Sequence, residues 1–89
     1  MEDVVGAAPL VHGNGTSLDT LTEQLRGAID AGRAALEALH NTHPNGRDYY
    51  PEPGRWNRAV GLYEERAAAL TGVLDSLMAE WEYLEDTYR

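Results

Sequence analysis

The chain has 89 residues, room for one small domain. Fifteen acidic against seven basic side chains leave a formal charge of −8, which speaks against direct binding to nucleic-acid phosphates or anionic membranes, where basic groups supply most of the affinity. Cysteine and lysine are both missing, so disulfides, thiolate chemistry and Schiff bases are excluded, and no run approaches the roughly 20 apolar residues of a membrane span.

Residues 1–16 carry no hydrophobic period. Gly6, Pro9, Gly13 and Gly15 punctuate them, and the expected state is a flexible arm. Thr16 or Ser17 can cap a first helix over 17–40. Its apolar or small positions Leu18, Leu21, Leu25, Ala28, Gly32, Ala35 and Leu39 follow a three-four spacing, the seam of a coiled-coil-like pair. Ile29 and Leu36 widen the stripe. Asn41 and Pro44 end it.

A loop over 41–54 follows, with Pro44, Pro51, Pro53 and the turn signal Asn45-Gly46. It is long for a helix–helix connection, usually about 2–8 residues. A second helix is expected over 55–88. Trp56, Val60, Tyr63, Ala67, Leu70, Leu74, Leu77, Trp81, Leu84 and Tyr88 alternate in steps of four and three, the strongest periodic signal in the chain.

These elements predict an all-α fold: an antiparallel two-helix hairpin with a long connecting loop. Gly32 would lie beside Ala67, with Ala28 and Ala35 extending a small-residue centre. Two helices alone make a poor core, and small scaffolds without disulfides or metals gain burial by association. A homodimer forming a four-helix bundle is therefore expected, with Leu62, Val73 and Met78 as interface residues because they fall off the main seam. A monomer whose Leu10 and Val11 cover Leu84 and Tyr88 is the alternative.

Two regions suit contact with another protein. Arg47, Tyr49, Tyr50 and Trp56 form the densest group of the residue types that dominate binding hot spots. They could equally pin the loop to the helix ends. Glu82, Glu85 and Asp86 crowd a helix C-terminus, where the dipole favours cations instead, and would suit a partner with a basic surface.

Chemistry is sparse. Glu37 with His40, and His40 with His43 and Asp48, have ligand-like spacings, but they lack the remaining ligands of a metal site. No nucleophile–base pair and no phosphate-binding glycine loop is present. The expectation is a non-enzymatic protein with no metal and no cofactor.

The loop His43-Pro44-Asn45-Gly46-Arg47-Asp48-Tyr49-Tyr50, followed by an Arg-, Ala- and Leu-rich helix, resembles small uncharacterised helical proteins of actinobacterial phages and mobile elements. That resemblance spans the second half of the chain. It implies a phage or prophage origin and carries over no catalytic residue. The expected role is protein–protein contact in the cytoplasm of an actinobacterial host, as a host-directed modulator or an assembly accessory. An acidic decoy that mimics DNA is a second reading of the charge. The chain is also similar in length, acidity and hairpin plan to secreted WXG-type proteins. It departs from them at Gly54-Arg55-Trp56-Asn57, where glycine precedes tryptophan, and at Tyr83, which Thr87 follows where an acid would stand.

Overall fold

A computed structural model describes residues 3–89; the first two positions of the arm lie outside the described residues. The arm begins with one helical turn, α1 (Val4–Ala7). Asp3 caps it by accepting the Gly6 N–H at 3.0 Å. Instead of trailing away, α1 packs on the second long helix, where Val4 lines a groove with Val73, Ser76 and Leu77. Leu10 plays no covering role, being 77% exposed.

Helix α2 (Leu18–His40) starts at Ser17, whose hydroxyl oxygen accepts the Thr20 N–H at 3.2 Å. After α2 the backbone tightens: the Thr42 N–H and hydroxyl both donate to the Leu39 carbonyl oxygen, at 2.9 and 2.7 Å. A 3₁₀ turn (Gly46–Asp48) follows, capped by the Asn45 side chain on the Arg47 N–H. Helix α3 (Pro53–Tyr88) begins two residues earlier than expected. Proline suits this first position, because its fixed φ fits the helix and its missing N–H would have had no partner there. The helix continues through Gly61 and Gly72 to the end.

The α2·α3 pair forms the predicted hairpin, with two corrections. The first concerns the phase of the α2 seam. Thr22 and Ile29 are buried, Leu36 is half-buried, and Ala28 and Ala35 are exposed. The buried line is thus Leu18, Thr22, Leu25, Ile29, Gly32, Leu36 and Leu39. It shares every seventh residue with the expected line and takes the other neighbour in between. Thr22 can enter because its hydroxyl donates to the Leu18 carbonyl oxygen at 2.9 Å, leaving a methyl group to pack.

The second correction concerns register. Gly32 faces Leu74, not Ala67, one heptad further along α3. A Cβ built on Gly32 would lie 2.6 Å from Leu74 Cδ2, so the glycine admits the leucine. The same register sets His43 edge-on to Tyr63, ring centroids 4.7 Å apart, and brings Arg89 to Asp19. A slide of seven residues leaves the same faces together, so hydrophobic spacing alone does not choose between the two registers. The pairs at the two ends do.

The core is thin. Ile29, Leu74 and Leu84 are its only buried apolar side chains among the described residues, and Leu84 alone is fully enclosed. The molecule measures 63 × 23 × 18 Å with a radius of gyration of 18.4 Å, against about 12 Å for a globule of this length.

Candidate functional site: two ends and two sides of a hairpin

At the loop end, the structure separates the two tyrosines. Tyr49 is half-buried and packs edge-on against Trp56, centroids 5.9 Å apart. Tyr50 stands 80% exposed over a shallow groove shared with Gly46, Pro53 and Trp56. Tyr49 and Trp56 therefore pin the loop to the start of α3, while Tyr50 is displayed on that platform. Arg47 is exposed beside it. Arg55 is tied to Glu52 at 3.1 Å.

At the opposite end, the acids are less free than their number suggests. Arg89 reaches Glu85 at 2.7 Å and Asp19 at 2.9 Å, and its Nη2 lies 3.5 Å from the Thr22 hydroxyl. Hydrogen bonds to Glu85, then to Asp19, push the Arg89 guanidinium above its ordinary pKa. The cation also sits at the C-terminus of α3, where the dipole favours it. Of the three acids considered for partner contact, Glu85 is engaged internally. Glu82 lines a groove with Arg26 and Arg33, and Asp86 is exposed.

The long sides of the hairpin differ in chemistry. One carries the groove containing Arg26, Asp30, Arg33 and Glu82 around Met78 and Trp81, with Arg33 Nη2 3.9 Å from the Met78 sulfur. The other is apolar: Ala35, Ala38, Leu39 and Thr42 of α2 meet Ala69, Leu70 and Val73 of α3, with Arg66 as the one charged lining residue. Leu62 and Val73, 45% and 55% exposed, stand about 20° apart around α3, on the apolar side. Met78 is roughly 140° further round and belongs to the charged side. The three residues expected at a dimer interface are thus not brought onto one face.

Sequence reasoning missed this apolar side as a surface, having placed Ala28 and Ala35 inside the hairpin. The available signal was a second three-four series, Leu21, Gln24, Ala28, Ala31, Ala35, Ala38 and Thr42, with no charged member.

His40, His43 and Asp48 do not converge: no group of three or more potential metal ligands occurs among the described residues. His43 is engaged with Tyr63, and its Nδ1 lies 3.0 Å from the Pro44 carbonyl oxygen. Among the described residues no helix is long and apolar enough to cross a membrane. No family model, curated protein or solved structure matches the chain.

Proposed function

We propose that the chain is a non-enzymatic interaction protein of an actinobacterial phage or mobile element. It acts in the host cytoplasm by binding another protein, as a modulator or an assembly accessory. The observation that carries this reading is Tyr50: a large aromatic side chain, 80% exposed, on a loop that Tyr49 and Trp56 hold in place. Pinning the loop lowers the ordering cost of binding, and tyrosine is enriched at the centres of protein interfaces. Arg47 beside it supplies a second side chain of the hot-spot type. The resemblance of residues 43–50 and the helix after them to phage-encoded helical proteins supports the setting. At the other end, Asp86 and Glu82 offer carboxylates to a partner with a basic surface.

The test is affinity capture from an actinobacterial lysate with the wild-type chain and with Tyr50→Ala, alongside thermal melts of both. Loss of a captured protein at unchanged melting temperature supports the proposal. Identical captures from both proteins would contradict the role of Tyr50.

A further inference from the structure

The groove beside Tyr50 is lined by three aromatic rings, a proline and a glycine, and by no charged side chain. Tyr49 and Trp56 are half-buried, and their rings meet at 63° with centroids 5.9 Å apart. No other part of the described chain lines this groove. The arm packs on α3 around Ala69, Val73 and Leu77, about 20 Å or more along the helix from Trp56. We propose that this platform takes an extended, proline-bearing segment of the partner protein, with acidic residues flanking the prolines. The proposal rests on the reading of Tyr50 given above and names the class of segment that Tyr50 would bind.

The shape and chemistry of the groove select an extended segment. At about 240 Å³ it is smaller than the roughly 300–1,000 Å³ of small-molecule sites. It holds one cluster of rings, not the row of pockets that an amphipathic helix fills. The described residues contain no strand whose edge a peptide could extend. Aromatic-lined grooves are instead suited to polyproline II segments. The negative faces of tyrosine and tryptophan rings attract the C–H groups that the proline nitrogen polarises. Such a segment also displays its carbonyl oxygens, and the Tyr50 hydroxyl and Trp56 indole N–H are neutral donors for them. A pinned loop and a segment already held in one conformation both keep the ordering cost of binding low.

Charge selects the acidic flanks. Over residues 43–58, Arg47, Arg55 and Arg58 against Asp48 and Glu52 leave one positive charge, so the remainder of the chain carries −9. Arg55 is tied to Glu52 at 3.1 Å. Arg47 and Arg58 have no carboxylate within 4.0 Å among the described residues. The Arg58 guanidinium folds over Gly54, with Nη1 3.7 Å from the position of an added Cβ, and so lies close to Pro53 of the groove. An acidic segment is therefore drawn to the loop end and repelled elsewhere, which orients its approach.

The test is NMR titration of the full chain with three blocked peptides: a proline run flanked by glutamates, the same run flanked by lysines, and an alanine run flanked by glutamates. The two indole N–H signals serve as separate reporters. At about 1 mM, the glutamate-flanked proline peptide should shift Trp56 saturably and leave Trp81, on the charged side of the hairpin, unmoved. The other two peptides should shift Trp56 much less. Tyr50→Ala should weaken binding by about tenfold or more. Arg47→Glu with Arg58→Glu should reverse the preference between glutamate and lysine flanks. Equal shifts with the alanine run would overturn the role of proline, and equal shifts with lysine flanks that of the acids. If Trp56 does not move and lysate capture still depends on Tyr50, the partner class is wrong and the platform's role stands. If Trp56 does not move and capture is also indifferent to Tyr50, both readings fall.

Discussion

Gly32 is where one missing atom sets the spacing of the two helices. Leu74 fills the place of the absent Cβ. Replacing glycine by alanine within a helix ordinarily gains about 1 kcal/mol, and at Gly61, where a Cβ meets nothing within 4 Å, that gain should appear in full. Gly61→Ala is expected to raise the melting temperature by about 4–8 °C. Gly32→Ala must displace a buried leucine, an overpacking cost of about 1–3 kcal/mol, and is expected to lower it. Equal effects in thermal melts would show the contact at Gly32 to be loose. Leu84, fully enclosed, should lose about 2–5 kcal/mol on change to alanine, a large part of the stability of so small a domain. Leu10→Ala should stay within about 0.5 kcal/mol. The burial of Leu74 and Leu84 was legible in their heptad positions. That of Thr22 was not, because a local hydrogen bond from its hydroxyl to Leu18 makes it pack as an apolar residue, and residue type does not display that.

For the elements, the sequence was informative wherever a signal was local. Ser17 as cap, the end of α2 at His40 and the long run of α3 follow from capping, proline placement and spacing. Two features depended on tertiary pairing and were not legible. The seam phase turned on whether Ala28 or Ile29 faces inward. The register turned on whether Gly32 meets Ala67 or Leu74. The loop shows the same division: its aromatic cluster was visible, but only the fold shows that Tyr49 packs on Trp56 while Tyr50 faces out. Tyr49→Ala should therefore destabilise, losing about 0.5–1.5 kcal/mol for the aromatic pair beyond the buried area. Tyr50→Ala should leave the melt unchanged and affect only binding. Equal melts for the two variants would contradict this division of roles. The arm, aperiodic in sequence, gains its one turn from the Asp3 cap and from the surface of α3.

At the scale of the molecule, the chain's alanines take on a different meaning from the one their spacing first suggested. Ala28, Ala31, Ala35 and Ala38 are all exposed and line one side of a hairpin whose interior holds three buried apolar side chains among the described residues. The charge is also arranged. Arg89 gathers Asp19 and Glu85 at one end, Arg26 and Arg33 share a groove with Glu82 along one side, and the opposite side is nearly free of charge. With so little interior, self-association is the expected way for this hairpin to gain burial. The most direct test is the melting temperature measured over a hundredfold range of protein concentration. Anything that binds the folded state alone stabilises it by mass action, so a second copy should raise the melting temperature steadily with concentration. A melting temperature independent of concentration, in a chain that sediments as a monomer throughout, would contradict it.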